Sequence, residues 1–575
     1  MRGGGFEEAA RRVAPLYPSP SSARQKAAKL RYPLPYQGER KVWTKFRYAL
    51  GLALLFAAAP ATAQTAFDPS GYVRARAADD AGAAHVAAAG YAEALAAAPD
   101  DATVALRAYR QALAAGDYTL ASRAGAVLVR AGGAPPDTAL LALAVALRSG
   151  DAAGAGRAVE AIARGPFDFL APSLRAWLAF DRGEDGVALL DAAPGDALAR
   201  RYTRRHRALL LIAAKRTDEA MAALAADLAT ADRDDTRIDA ALLLARVDKR
   251  EPARRLLAAD RPDFERLRKK LPKRTRPDAA FGASRMFLEL AVEVADEEMA
   301  QLSILLTRAA LLLDPRDDRA RLFLAEALSQ GGSHDLALSI LAEVGRHSPF
   351  VRGAASGRIA VLRRADRLPE ALQLAQTMAQ GSEATRADAE TLGDLLADQG
   401  RDDLAAAAYA AGLKDEGATD WRLHYLHGRA LDRAGRWDEA LPALQRAVTL
   451  GPEQAPALKY LGTAWIARGE NLTAAQTLLE RARSLAPDDA EIADSLAWAY
   501  YQRGDVARAL PMLERAVRDD PAAARANEHL GDAYWRLGRH YEARYAWRAA
   551  ALTAENDAPA RLEAKLANGL KPQPN

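Results

Sequence analysis

Small and apolar residues recur along the chain with a spacing of about 34 residues, most clearly in its C-terminal half. In the segment DWRLHYLHGRALDRAGRWDEALPALQRAVTLGPEQ, residues 420–454, apolar positions follow a helical period on both sides of Gly435. A small residue, Gly428, precedes this turn, Ala440 follows it, and Pro452 ends the unit. Because small residues let two helices approach closely and proline ends the second helix, the unit predicts a helix–turn–helix hairpin.

The hairpin unit is repeated in phase along most of the chain. Eight units run from residue 284 to about 557, and weaker ones begin near residues 68, 102, 136, 169, 201 and 234. One hairpin cannot bury its apolar face alone, so we expect neighbouring hairpins to stack. The predicted domains are a degenerate array at 68–260, a basic irregular joint at 261–283 that contains three prolines, the eight-unit array at 284–557, and a capping helix with a tail at 558–575.

This pattern resembles the tetratricopeptide repeat, whose signature is a small pair early in the first helix, a turn glycine, an alanine in the second helix and a closing proline. The resemblance implies an all-α fold of helix–turn–helix repeats stacked into a right-handed superhelix, an α-solenoid. The C-terminal units are also similar to those of exported tetratricopeptide proteins of Gram-negative bacteria. That similarity implies a location and an architecture, but no biochemical activity.

The N-terminal residues have the layout of an export signal. Lys45 and Arg47 precede a short apolar run from Tyr48 to Ala59, and the small residues before Gln64 form a cleavage site after Ala63. We therefore predict a signal peptide at 42–63 and a periplasmic or otherwise exported protein. The apolar run is shorter than the roughly 20 residues that a membrane helix needs, which disfavours a retained anchor. Residues 1–41 are predicted to be a disordered prefix that lies before the true start of translation.

The charge balance changes once these segments are set apart. The whole chain has a net charge of +4, but residues 1–63 hold 11 Lys+Arg and 3 Asp+Glu, which leaves −4 for the remainder. The absence of cysteine excludes disulfides, zinc–thiolate sites, iron–sulfur clusters and thiol nucleophiles. We therefore expect a nearly neutral scaffold rather than a uniformly basic protein.

The resemblance implies a partner-binding groove along the first helix of each C-terminal unit. Aromatic residues beside charges suit peptide binding, because apolar area supplies affinity and charge supplies register. The alternative is that these rings pack against a neighbouring unit or the capping helix. Lysine and asparagine at two groove positions grip a C-terminal carboxylate in some family members, and that pattern is not met here. The candidate groove residues are Arg422, Tyr425, Arg429, Lys459, Asp494, Trp498, Tyr501, Glu528, Asp532 and Trp535.

A second candidate is the basic run RLRKKLPKRTR within the predicted joint. It could bind an anionic membrane surface or polysaccharide, or it could be a solvated linker kept extended by self-repulsion. No aromatic residue lies inside the run to stack bases, so nucleic acid is not expected. Another group of arginines, Arg200, Arg201, Arg204, Arg205 and Arg207, is expected on the exposed side of a helix. The candidate residues of the basic run are Arg266, Arg268, Lys269, Lys270, Lys273, Arg274 and Arg276.

No motif of a hydrolase, a phosphate-binding loop or a dinucleotide site occurs in the sequence. His424 and His427 have a spacing that can hold a metal, but no third ligand stands at a matching position, so we expect no metal and no cofactor. The sequence thus predicts a non-enzymatic scaffold or adaptor for partner proteins or peptides in envelope assembly or secretion. The alternative is a membrane- or polysaccharide-associated export factor that acts through the basic run, and an enzyme would need a polar constellation that the motifs do not reveal.

Overall fold

A computed structural model describes residues 69–570 of the 575-residue chain, with gaps at 194, 196, 231–233, 259–260, 274, 296–298, 415–418 and 556–557. The predicted prefix and signal peptide lie outside the described residues. The described residues form 30 α-helices and a short 3-10 helix, Asp168–Leu170, and contain no strand. No helix among them is long and apolar enough to cross a bilayer.

The helices follow one another as hairpins, in agreement with the predicted all-α fold. They are α1 Pro69–Asp80, α2 Ala84–Ala97, α3 Ala102–Ala115, α4 Tyr118–Arg130, α5 Thr138–Ser149, α6 Ala152–Ala163, α7 Ala171–Asp181, α8 Gly186–Asp191, α9 Ala197–Ala213, α10 Thr217–Thr230, α11 Asp234–Arg246, α12 Arg250–Leu256, α13 Pro262–Lys269, α14 Ala279–Glu293, α15 Ala300–Leu313, α16 Asp318–Gln330, α17 His334–Ala342, α18 Val351–Arg364, α19 Leu368–Gln380, α20 Arg386–Asp398, α21 Asp402–Gly412, α22 Trp421–Arg433, α23 Trp437–Leu450, α24 Ala455–Arg468, α25 Leu472–Leu485, α26 Ala490–Gln502, α27 Val506–Asp519, α28 Ala524–Arg536, α29 His540–Thr553 and α30 Ala558–Asn568.

The small residues of the repeat lie where the two helices of a hairpin meet. Gly435, between α22 and α23, has a φ of 78°, a conformation that a residue with a Cβ adopts only with strain. A Cβ on Gly428 would lie 2.7 Å from Leu444 Cγ, so this glycine lets the two helices of the hairpin touch. Ala440 on the facing helix is fully buried. The hairpin therefore packs closely because Gly428 leaves room for Leu444 and Ala440 is small enough to be buried on the facing helix.

The described residues form two compact units, one that ends at Arg367 and one that begins at Leu368. We call them the N-terminal unit and the C-terminal unit. The predicted joint at 261–283 lies inside the N-terminal unit, and it is not irregular throughout. Pro262 at the start of α13 supplies the fixed φ that a first helical turn accepts, so a helix forms at Pro262–Lys269 in spite of the prolines.

In the N-terminal unit, helices distant in sequence pack on one another. Helices α14 and α15 contact α5, and they also contact α7 and α3 respectively. Arg308 of α15 donates through Nε to the carbonyl of Leu113 at 3.0 Å, and Tyr118 donates to the carbonyl of Arg308 at 2.9 Å. The first helices of the early hairpins are thus covered by a later part of the same chain.

A buried ion network holds α11, α14 and the start of α16 together. Arg285 and Arg319 are both almost fully buried and both bind Asp239 and Asp317. Burial acts to raise the pKa of Asp317, but the two arginines outweigh it and hold that pKa well below its usual range. Charges removed from water need partners of opposite sign, and here each arginine has at least two.

The arginine group at 200–207 is not arranged as expected. Arg205 is only 5% exposed and pairs with Asp227 and Glu289, and Arg201 pairs with Glu293. Only Arg200 and Arg204 are exposed. The expectation of one solvated face was wrong because acidic residues of the next helix, α10, and of α14, which is far away in sequence, lie against the same helix.

In the C-terminal unit, five hairpins from α20 to α29 follow in sequence and α30 packs on the last one. Successive first helices contact each other, α22 with α24, α24 with α26 and α26 with α28, whereas no second helix among the described residues contacts the next second helix as extensively. We call the surface of these four helices the first-helix face. Leu562 of α30 is fully buried beside Trp547 and Ala543 of α29, which closes the end of the apolar core.

Candidate functional site

The first group of predicted groove residues lies where α22 meets α24. The ring of Tyr425 stands edge-on to Tyr460 with centroids 5.8 Å apart, and the guanidinium of Arg429 lies 5.4 Å from the Tyr425 centroid. Tyr460 donates its hydroxyl proton to Asp432 at 2.9 Å, and Arg468 pairs with the same carboxylate. Tyr425 and Arg429 are half-buried, so an aromatic ring and a cation remain within reach of a partner.

Two further predicted cations are tied to neighbouring hairpins. Arg422 pairs with Glu390 of α20, and Lys459 pairs with Glu491 of α26 at 2.7 Å. In each pair the two residues are 32 positions apart, close to one repeat length. These cations therefore fix the spacing between successive first helices, and Arg422 is also exposed on the surface.

The second group lies where α26 meets α28. The ring of Trp498 stacks between Tyr501 and His529, at 4.5 Å and 3.9 Å, and both pairs of planes meet at 9°. Tyr501 is 8% exposed and accepts a hydrogen bond from Arg536 at 3.1 Å, whereas Trp498 keeps partial exposure. Trp498 is thus a rigid, partly accessible aromatic surface.

Asp494 forms the charged base of this second group. It is 2% exposed and pairs with His529 Nδ1 at 2.7 Å and with Arg525 Nε at 3.0 Å. Burial acts to raise the pKa of Asp494, but His529 and Arg525 outweigh it and lower that pKa. The carboxylate is therefore committed to these two partners, while the Arg525 side chain, 54% exposed, offers a cation to solvent.

The third group lies on α28 and is covered by the capping helix. Glu528 accepts hydrogen bonds from Arg561 at 2.8 and 2.9 Å and from Lys565 at 2.7 Å. Asp532 accepts from Lys565 and from the indole of Trp547 at 2.8 Å. The two acidic groove residues of the last hairpin are thus bound by the chain itself.

Trp535 is covered by the same part of the chain. A Cβ on Gly569 would overlap its ring, so the backbone after α30 lies directly against the indole. The ring also stacks on His540 at 4.1 Å. Trp535 therefore packs against the C-terminal segment of the chain, which is the alternative to partner binding that the sequence left open.

Several residues that complete these groups were not among the sequence candidates: Tyr460, Arg468, Arg525, His529, Arg561 and Lys565. The signal that could have found them is the repeat itself, because each lies 28 to 37 positions after the carboxylate that it binds. A basic or hydroxyl group one repeat after a groove acid is within reach of that acid when first helices stack.

The basic run does not form one continuous charged surface. Lys269 pairs with Glu265 at 2.6 Å, Lys273 pairs with Asp248, and Arg276 pairs with Asp278 at 3.2 Å. Arg268 is half-buried on α13, and Arg274 lies outside the described residues. Three members, Arg266, Lys270 and Arg276, line a cavity instead.

The two histidines with a metal-compatible spacing, His424 and His427, both lie on α22 and are half-buried. Burial lowers the pKa of His427. Within the described part of the chain, no group of three or more His, Asp or Glu residues is placed to hold a metal ion.

Comparison with known families identifies the C-terminal array. Residues 425–490 and 495–559 match the family model of the tetratricopeptide repeat. These residues are tetratricopeptide repeats. The match confirms the resemblance drawn from the glycine, alanine and proline pattern, and it covers the hairpins that carry the first-helix face. Tetratricopeptide repeats support a role as a scaffold for protein–protein interaction.

Several solved structures are similar to parts of the chain. A crystal structure of MamA is 25% identical and covers 33% of this chain and 98% of that chain, with a TM-score of 0.26. YrrB, described as a tetratricopeptide protein with an unusual peptide-binding site, is 20% identical, with coverage of 30% and 88% and a TM-score of 0.27. A tetratricopeptide protein from Parabacteroides merdae ATCC 43184 is 16% identical, with coverage of 44% and 97% and a TM-score of 0.35. No curated protein sequence matches the chain.

Proposed function

We propose that this protein is a non-enzymatic scaffold that holds a partner protein or peptide on its first-helix face. The proposal is supported by the half-buried aromatic residues Tyr425 and Trp498, which lie on tetratricopeptide hairpins beside the cations Arg429 and Arg525. Ring stacking and inter-repeat ion pairs hold these groups in place before a partner arrives. Preorganised side chains lose little conformational entropy on binding, so their contact area contributes directly to affinity.

The partner surface that we propose is smaller than the sequence indicated. Glu528, Asp532 and Trp535 are engaged by the capping helix and the backbone after it, so the available part of the face runs from Arg422 to Arg525. It presents aromatic rings with exposed arginine side chains, which suits a segment with apolar side chains and at least one acidic residue. We propose that the partner belongs to cell-envelope assembly or secretion, since the sequence carries a predicted export signal.

Site-specific photocrosslinking tests the face directly. A photoreactive residue placed at Trp498 or Tyr425 should give the same crosslinked partner in cells, and the matched control is the same residue at Tyr541. Tyr541 is 71% exposed on α29, a second helix of the same unit. Crosslinks of equal yield at all three positions, or at Tyr541 alone, would overturn the first-helix face as the binding surface.

Export is tested separately by the N-terminal sequence of the protein from cells. The proposal expects a mature chain that begins at Gln64 or a near neighbour and is recovered from the periplasm. A chain that retains Met1 and is recovered from the cytoplasm would contradict the export proposal without affecting the binding face.

A further inference from the structure

The N-terminal unit contains a cavity of about 860 Å³ that the proposed scaffold function does not use. It is bounded by the end of α13, the segment that leads to α14, the loop before α16 and the loop before α18. Ligand pockets usually measure about 300–1,000 Å³, so the space suits a small molecule.

The carboxylates that line the cavity are already bound by the protein. Asp278 accepts from the backbone N–H of Phe281 at 2.9 Å and pairs with Arg276, and Asp318 accepts from Ser348 at 2.6 Å. The other two, Asp314 and Asp317, both pair with the buried Arg285. None of these four carboxylates is therefore left to neutralise an additional cation.

Three cations of the lining have no such partner. Among the residues that the structure describes, no carboxylate lies within ion-pair distance of the side chains of Lys270, Arg316 or Arg346, and all three are exposed. They come from three different segments that meet at one cavity, so the sequence spacing gives no sign of their association. Positive charges without partners around a concave, partly apolar space raise the local concentration of anions.

The same cavity has an apolar wall. Leu271 and Phe350 line it and are half-buried, which leaves part of each side chain accessible from the cavity. A ligand that places an apolar body on this wall and an anionic group at the three cations would use both kinds of surface. The guanidinium groups of Arg316 and Arg346 have the donor geometry that phosphate and carboxylate oxygens accept.

We propose that this cavity is a binding site for a small organic anion that carries an apolar body and a phosphate or carboxylate head. The head binds Lys270, Arg316 and Arg346, and the body packs against Leu271 and Phe350. This differs from attachment to a flat anionic membrane, because three of the six basic-run residues that the structure describes, Arg268, Lys269 and Lys273, do not line the cavity.

Calorimetric titration of the full-length protein with 1-naphthyl phosphate at low salt tests this proposal. Lys270→Ala/Arg316→Ala/Arg346→Ala should weaken one-to-one binding at least tenfold. The matched control, Arg148→Ala/Arg157→Ala/Arg164→Ala, removes three exposed arginines of the same unit that do not line the cavity and should change binding less than twofold. Circular dichroism should show the same helix content for both variants, and Phe350→Ala should weaken naphthyl phosphate but not inorganic phosphate.

Each other outcome would overturn the proposal in a recognisable way. Equal weakening by the two triple variants would indicate non-local charge attraction. Equal affinity for inorganic phosphate and naphthyl phosphate would show that the apolar wall does not contribute to binding. Binding to phosphatidylglycerol vesicles without any binding of naphthyl phosphate would assign these cations to a membrane surface instead.

Discussion

Replacement of Glu528 by glutamine removes the charge that holds the capping helix α30 on the last hairpin and keeps the shape of the side chain. Glu528 is 7% exposed and binds both Arg561 and Lys565. Burial acts to raise its pKa, but the two cations outweigh it and lower the pKa from 4.5 to about 2. That difference corresponds to about 3 kcal/mol of stability at neutral pH. Because Arg561 is half exposed, solvent screening reduces its share, and we expect Glu528→Gln to cost about 2–3 kcal/mol.

The cost should depend on pH in a defined direction. A carboxylate whose folded pKa lies below its unfolded value adds stability above the unfolded pKa and loses it as the pH falls through the folded value. The contribution of Glu528 is therefore complete above pH 4.5, falls to about half near pH 3 and vanishes below about pH 2. Burial raises the pKa of Asp532, so this neighbour, which shares Lys565 with Glu528, acts in the opposite direction.

Hydrogen exchange measured by mass spectrometry suits this prediction because it reports local opening of α30 in the full-length chain. At pH 7 the amides of 558–568 should exchange about 30 to 160 times faster in Glu528→Gln than in the wild type. The matched control is Glu563→Gln, which changes an exposed carboxylate on the same helix and should leave exchange nearly unchanged. Equal protection of α30 in wild type and Glu528→Gln at pH 7, or a difference that stays the same at pH 3, would refute the reasoning.

Three further predictions concern the N-terminal unit and can be followed by urea unfolding. Gly282→Ala should destabilise it by about 1–3 kcal/mol because the added Cβ would overlap the ring of Trp177. The control Gly156→Ala, which has no atom within 4 Å of the added Cβ, should not destabilise it. Equal urea midpoints for the two variants would contradict this prediction. Asp317→Asn should lower the free energy of unfolding by about 3–5 kcal/mol because two buried arginines lose a charged partner. A urea midpoint equal to that of the wild type would contradict this. Burial lowers the pKa of His206 to about 3 in the folded protein. As the pH drops below 6.5, this histidine is protonated in the unfolded chain but not in the folded one, so the free energy of unfolding should fall. His206→Asn should flatten this dependence between pH 7 and 4, and an unchanged slope would assign it to another group.

Local packing was predictable because it depends on residues within one repeat. The glycines at 428 and 435 and the alanine at 440 indicated where two helices touch and where the chain turns, and the structure places them there. The aromatic and acidic residues of the first helices were identified as well. Their partners were not, since each partner lies about one repeat later in the chain and the repeat signature describes one unit at a time.

The capping helix shows the same limit at the end of the array. The charged residues after the last hairpin indicated a cap, but not that Arg561 and Lys565 would bind Glu528 and Asp532. The family resemblance places Trp535 in the groove, but the backbone at Gly569 covers its ring. Whether a groove position is available to a partner therefore depends on how the C-terminal segment packs against the last hairpin.

The sequence by itself determined the repeat, the all-α fold and the tetratricopeptide identity of residues 425–559, because hairpin packing follows from the size and spacing of neighbouring residues. Only the tertiary structure decided which charges are buried and which are free. Arg205 and Arg319 are buried against Glu289 and Asp239, acids of helices far away in the chain, while Lys270 and Arg346 meet at a cavity without a carboxylate partner among the described residues. The physical reason is that Coulomb and desolvation energies depend on distances between helices, which the repeat period fixes for adjacent hairpins but not for those that return to pack on them.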